Sequence, residues 1–200
     1  MEDSAILMQS RILVNLGAYP FAPHWQLLYT CLPIDLNLER VMTHDSYLNQ
    51  ALPEFALTGT SGQQVSHASL KKKWTVLYFY PKDSTPGCTL ESQNFRDLMP
   101  QFMALGIQVF GVSKDSVASH ERFKSQECMP FELISDPDSL LCQALGVIQE
   151  KKNYGKTYMG IDRSTFLIDP MGVIRAIWRH VKVDGHAHEV LLRAKTLMSA

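Results

Sequence analysis

Of the four cysteines in this 200-residue sequence, Cys88 sits in the setting best suited to chemistry. It ends the stretch Tyr80-Pro-Lys-Asp-Ser-Thr-Pro-Gly-Cys88, just after the apolar, β-rich run Trp74-Thr-Val-Leu-Tyr-Phe-Tyr80 and just before a helical stretch. The carboxyl end of a central strand, where it meets the amino end of a helix, is where open α/β sheets place their sites. As a helix start, Thr85 suits the N-cap and Pro86 the first helical position, while Gly87 lets backbone approach closely. Cys88 then falls at N3, where a capping box normally holds a carboxylate. A thiolate there is stabilised by unpaired backbone N–H groups and by the positive end of the helix dipole. The Thr85 hydroxyl, in the same turn, can donate to sulfur or to an oxygen bound beside it. A plainer reading stays open: a lone cysteine near a helix start is often a small buried apolar residue, and Pro81, Thr85 and Gly87 can be ordinary turn chemistry. The coincidence of strand end, cap, proline, glycine and thiol favours a reactive thiol.

The other cysteines, Cys31, Cys128 and Cys142, are too scattered for a disulfide scaffold, and no C-x-x-C pair occurs. That removes the dithiol motif and the usual paired zinc ligands. His186 and His188 lie two apart beside Gly185 without an H-E-x-x-H pattern, so they read as exposed histidines near a helix start, and no metal is expected. Few, scattered cysteines suit a reducing compartment. Lys plus Arg total 19 against 20 Asp plus Glu, which argues against a sequence-independent grip on nucleic acid. No apolar run approaches the roughly eighteen residues that would span a membrane. With 46% apolar residues the chain can build one large core.

Residues 1–41 differ from the rest, with Gly17, Pro20, Pro23 and Pro33, few charges and no clean period. They open on Glu2 and Asp3 rather than basic residues, and Asn15 interrupts the apolar stretch, so they do not read as an export signal. They are expected to be an N-terminal extension, weakly structured or not native, since Met42 could itself be the start. Residues 42–200 form the domain. There, Trp74–Tyr80 reads as a strand buried on both faces. Phe95, Leu98, Met99, Phe102 and Leu105 mark the buried face of a helix that Pro100 should kink or end. A strand over 107–112, a helix over 116–126, a strand over 131–135 and a short helix over 139–145 follow. A polar loop over 150–162 leads to the strand 164–168, and the turn Asp169-Pro-Met-Gly172 joins it to 173–179 as a hairpin. A helix over 186–198 closes the chain. The order predicts an α/β fold, with crossover helices on both faces of a central mixed sheet.

Pro81-x-x-x-Thr85-x-x-Cys88 resembles the peroxiredoxin active-site motif. The wider text around it is similar to the bacterioferritin-comigratory, or Q-type, branch of that family. The likeness continues through Phe95-Arg-Asp97, Gly111-Val-Ser-Lys-Asp115, Phe131-Glu-Leu-Ile-Ser-Asp136 and Arg163-Ser-Thr-Phe-Leu-Ile-Asp169, and covers roughly residues 48–198. The resemblance implies a thioredoxin-like fold and reduction of hydrogen peroxide and organic hydroperoxides without a cofactor. It makes Cys88 the peroxidatic cysteine, which attacks the nearer peroxide oxygen and becomes a sulfenic acid. It has Thr85 hydrogen-bond the peroxide and Pro81 shield the sulfenate. Arg163 matches the family's active-site arginine; without the resemblance it reads as a surface salt-bridge residue. Glu91 matches a recurrent family acid, but an acid in a helix's first turn needs no such role, and it is left out of the core site.

Many Q-type enzymes carry a resolving cysteine five residues after the first, here Gln93, or in the next helix, here Lys124. Both usual resolvers are therefore missing. Cys128 is the possible substitute, ahead of Cys142 and Cys31, although a one-cysteine cycle is the preferred reading. The resemblance implies thioredoxin as the reductant, while the missing resolver leaves room for glutathione or glutaredoxin. It leans toward a monomer in the cytoplasm. A peroxide sensor, passing oxidation from Cys88 to a partner protein, is the alternative.

Overall fold

The computed structural model describes residues 45–153 and 155–199. The expectation for the extension at 1–41 and the position of Cys31 lie outside the described residues. In chain order the strands and helices are β1 (Ala56–Gly59), β2 (Gln64–Ser66), β3 (Thr75–Phe79), α1 (Pro86–Ala104), β4 (Gln108–Ser113), α2 (Val117–Gln126), β5 (Glu132–Ser135) and α3 (Leu140–Ala144). They continue with β6 (Ile148–Asn153), β7 (Lys156–Ile161), β8 (Ser164–Ile168), β9 (Ile174–Trp178) and α4 (His186–Met198).

Every residue of β3 is buried, as the unbroken apolar run requires of a strand covered on both sides. It pairs in parallel with β4, and β4 in parallel with β5, through α1 and α2 as crossovers. On its other edge β3 pairs antiparallel with β8, which turns back into β9. The turn is the expected one: the Gly172 N–H donates to the Asp169 carbonyl at 2.9 Å. The seven-stranded sheet has the order β2-β1-β5-β4-β3-β8-β9. Alternation along the strands divides the core. Val76, Tyr78 and Val109 face Phe95 and Phe102 of α1, Phe123 of α2 and Val190 of α4. Leu77, Phe79 and Val112 face the other way, toward Leu141 and Cys142 of α3 and Leu52 and Leu70. The mixed sheet thus carries helices on both faces.

Two expectations are corrected. Residues 150–162 are not a loop: β6 and β7 form a two-stranded antiparallel ribbon, with Lys151 opposite Tyr158. Lys156 to Met159 are all exposed, so no apolar alternation marks that stretch, and the ribbon is anchored only at its base, where Ile161 is buried and Ile148 opposite it packs on the same core. Nor does Pro100 end α1, which runs from Pro86 to Ala104. Phe95, Met99 and Phe102 are buried along it, and their packing outweighs the roughly 3 kcal/mol cost of an interior proline.

Gly111 shows how tightly the layers meet. It lies opposite Tyr78 on β3, and a Cβ there would fall 2.6 Å from the Tyr78 hydroxyl and 2.8 Å from a Leu133 methyl. The Tyr78 ring is fully buried and stacks on Phe95 at 4.7 Å, so it has nowhere to retreat. Gly111→Ala is expected to cost about 1–3 kcal/mol, seen as a lower urea midpoint. An unchanged midpoint would contradict this packing.

Candidate active site

The loop that leaves β3 is held from below by a buried polar cluster. The Tyr80 hydroxyl donates to Asp83 Oδ1 at 2.8 Å, and His120 Nδ1 lies 2.9 Å from Asp83 Oδ2. His120 is fully buried on α2, and its Nε2 lies 3.2 Å from the Ile134 carbonyl oxygen. The Asp83 N–H donates to Asp115 Oδ2 at 2.8 Å. Burial pushes the Asp83 carboxyl up, but the hydrogen bond and charge of His120 outweigh it and hold the group below its ordinary value. These contacts tie the 81–85 loop to α2 and to the end of β4.

The loop delivers Thr85 in extended backbone geometry (φ −91°, ψ 146°) as the N-cap of α1, with Pro86 opening the helix and Cys88 at N3. The Thr85 side chain does not cap the helix. Its hydroxyl donates to the Lys82 carbonyl at 3.0 Å, because the tight turn brings that carbonyl within reach. Pro81 is exposed at the loop's rim, and Cys88 is only 1% exposed.

Arg163 approaches from the β7–β8 connection. Its carbonyl accepts the Val181 N–H at 2.9 Å, and the adjacent Asp162 is paired with His180 at 2.9 Å, which fixes the backbone. The guanidinium is not a surface group. Nη2 donates to Cys88 Sγ at 3.4 Å, and Nη1 donates to Glu91 Oε2.

Glu91, noted in the sequence but left out of the core site as a first-turn acid, lies beside the sulfur's cation. It sits in the second turn of α1, not the first, is 1% exposed, and its Oε1 has no hydrogen-bond partner among the described residues. Burial raises its carboxyl to about 7 against the lowering pull of Arg163. The signal was its spacing: residues three apart share a helix face, so an acid three after Cys88 lies beside it and can hold whatever cation serves the sulfur.

Cys128 follows the end of α2, exposed and with a positive φ of 51°. Its neighbour Glu127 lies against the middle of α1, where Gln93 and Arg96 donate to it at 2.7 and 2.9 Å. Cys142 is buried in the core of the opposite sheet face, and burial pushes its thiol well up. His186 is likewise buried rather than exposed. It lies 2.8 Å from the Thr165 hydroxyl and is lowered to about 4, chiefly by burial. Among the described residues no His, Cys, Asp and Glu cluster could hold a metal, and no helix is long and apolar enough to cross a membrane.

The AhpC/TSA family model matches residues 48–177. Peroxiredoxin Bcp of Xanthomonas campestris is 47% identical over 142 residues, covering 71% of this chain and 89% of that protein. Peroxiredoxin Bcp of Bacillus subtilis is 45% identical over 150 residues, 75% of this chain and 96% of the relative. Among solved structures, the Xanthomonas campestris bacterioferritin comigratory protein, studied for alkyl peroxide reduction, superposes with a TM-score of 0.68 at 46% identity, covering 71% and 90% of the two chains. Xylella fastidiosa PrxQ superposes with a TM-score of 0.70 at 44% identity, covering 76% and 94%.

Proposed function

The chain belongs to the AhpC/TSA family, and from that premise we propose that Cys88 is the peroxidatic cysteine of a one-cysteine cycle. The protein is a peroxiredoxin of thioredoxin-like fold, an enzyme that reduces hydroperoxides with electrons from thiols. The observation that carries the proposal is the Arg163 guanidinium, shared between the Cys88 sulfur and the buried Glu91.

The Cys88 thiolate attacks the nearer peroxide oxygen. An S–O bond forms, the O–O bond breaks, and the departing oxygen takes a proton to leave as water or an alcohol, with Cys88 now a sulfenic acid. Arg163 presents an N–H donor and a positive charge where negative charge gathers on the departing oxygen. The Thr85 oxygen, whose own hydrogen points to Lys82, is free to accept from a peroxide O–H. Pro81 screens the oxidised sulfur from water at the rim. Glu91 positions Arg163. The family match begins at residue 48, which supports assigning the reaction to residues 42–200.

Neither Gln93 nor Lys124 can resolve the sulfenic acid, and Cys142 is enclosed, so in this cycle an outside thiol attacks the sulfenic acid directly. Thioredoxin, glutaredoxin and glutathione are the candidates, with a monomer in the cytoplasm as the working unit. A second reading has Cys128 as resolver. The hydrogen bond from Gln93 to Glu127 favours it, because it holds the residue next to Cys128 against the α1 position where relatives with a nearby resolver carry theirs. In a third, Cys88 passes its oxidation to a partner protein, and fast single oxidation would go with slow turnover.

The test is the intact mass of the reduced protein after one equivalent of hydrogen peroxide. A gain of one oxygen on Cys88 is the expected result. A loss of two hydrogens, with Cys88 and Cys128 mapped to one linked peptide, would replace the one-cysteine cycle by the second reading. No change in mass would overturn both.

A further inference from the structure

One cleft beside the active-site loop is unused by the chemistry above. It has a volume of about 230 Å³, with Pro81 and Lys82 of the loop on one wall and Lys151, Tyr158 and Ile161 of the β6–β7 ribbon on another. Lys114, after β4, lines it as well and also lines a neighbouring cleft of about 380 Å³ that shares Met159. Pro81 thus belongs to both this cleft and the catalytic loop. Ile161 is two residues before Arg163, roughly 7 Å of extended chain.

The charges there are lopsided. Lys82, Lys114 and Lys151 line the cleft, and none forms an ion pair among the described residues. The acid on the wall, Asp115, is turned inward, where its Oδ2 accepts from the Asp83 N–H and the Ser113 hydroxyl, both at 2.8 Å. The chain as a whole carries a formal charge of −1, so this positive patch is local and not a general property of the surface. The outer wall is shaped too. A Cβ on Gly160 would come within 2.9 Å of the Tyr158 ring and 3.4 Å of the Lys151 stem, so the glycine lets both lie across the ribbon as an aromatic and cationic platform.

We infer that this cleft receives a small thiol bearing carboxylates, the reductant of oxidised Cys88. The inference rests on the reading that Cys88 forms a sulfenic acid without an internal resolver. The first thiol attacks the Cys88 sulfur, an S–S bond forms, the S–O bond breaks, and the hydroxyl leaves as water with the thiol's proton. A second thiol attacks the small-thiol sulfur of the mixed disulfide, regenerates the Cys88 thiol and leaves as the oxidised disulfide. Lysines that hold the carboxylates of the incoming molecule raise its local concentration beside the sulfur, by a factor that falls as salt screens the charges.

The test follows single-turnover reduction of the full chain, oxidised by one equivalent of hydrogen peroxide, with three thiols: glutathione, uncharged 2-mercaptoethanol and cationic cysteamine. In Lys114→Glu/Lys151→Glu the glutathione rate is expected to fall about tenfold or more at low ionic strength. The 2-mercaptoethanol rate and the oxidation of Cys88 by peroxide should not change, and the cysteamine rate should rise. In the unaltered protein, raising ionic strength from about 0.01 to about 1 M, which shortens the screening length from about 30 to about 3 Å, should slow glutathione alone. A glutathione rate indifferent to both charge reversal and salt overturns the inference, as does a parallel fall for all three thiols. If Cys88 gains no oxygen, or pairs with Cys128, it is the reading beneath that fails and takes the cleft assignment with it.

Discussion

Cys88→Ser is expected to bring peroxide turnover down to background, a loss of roughly 10⁴-fold or more, as when the nucleophile of a covalent mechanism is removed. The size of the effect follows from the site. Everything around Cys88 prepares one sulfur: the N3 position at a helix start, the Thr85 turn, and the Arg163 Nη2 donor at 3.4 Å. A serine oxygen in the same place keeps the hydrogen bonds but carries its proton at neutral pH, so the surroundings have no anion to steer. The side chain is buried and the replacement is smaller by little, so the fold should survive with its urea midpoint nearly unchanged. Peroxide consumption and intact mass read the outcome together. The variant should neither consume peroxide nor gain an oxygen, while Cys128→Ser should do both at the normal rate if the cycle uses one cysteine. Appreciable turnover in Cys88→Ser would sink the assignment.

What could be read from the sequence depended on whether a residue announces itself locally. Strand β3 was legible because burial on both faces leaves an unbroken apolar run, and the turn at Asp169–Gly172 carries its own local signal. The β6–β7 ribbon was not, because its polar stretch Lys151, Lys152 and Lys156 to Met159 looks like loop while only its base, at Ile148 and Ile161, is packed on the core. The same divide runs through the site. The cap at Thr85, Pro86 and Cys88 is written in consecutive residues, and the helix starts where they place it. Arg163 came only from the resemblance, since 75 residues separate it from Cys88 and nothing local marks it. Glu91 was set aside as a first-turn acid, but it falls in the second turn of α1, and its burial is a product of tertiary packing. The Asp83–His120 contact, 37 residues apart, gave no sequence signal at all.

Because Arg163 serves the sulfur and neutralises Glu91 at once, its removal should do two kinds of damage that a double-variant cycle can separate. Arg163→Ala takes away the donor facing the reacting oxygen, which should lower kcat/KM about 10²–10³-fold. It also leaves Glu91 buried without its cation, a loss of about 3–5 kcal/mol when one partner of a buried pair is deleted. The pH dependence of the second effect has a definite sign. The Glu91 carboxyl is raised from 4.5 to about 7 in the folded chain, so the fold favours its protonated form. The cost of this burial is absent below the unfolded value of about 4.5, grows as pH rises toward 7, and is complete above that at about 3 kcal/mol. In Arg163→Ala the cation no longer opposes burial, and the loss continues to higher pH. Glu91→Gln removes the titrating group, so its urea stability should be flatter between pH 5 and 8 than that of the unaltered protein. The double variant Arg163→Ala/Glu91→Gln should regain most of the stability that Arg163→Ala loses at pH 8, because no buried charge is left alone. Its activity should stay at the level of Arg163→Ala, because the donor to sulfur and to the departing oxygen is still missing. Recovery of activity along with stability would mean that Arg163 acts only by balancing Glu91, and the role assigned to its Nη2 would be lost.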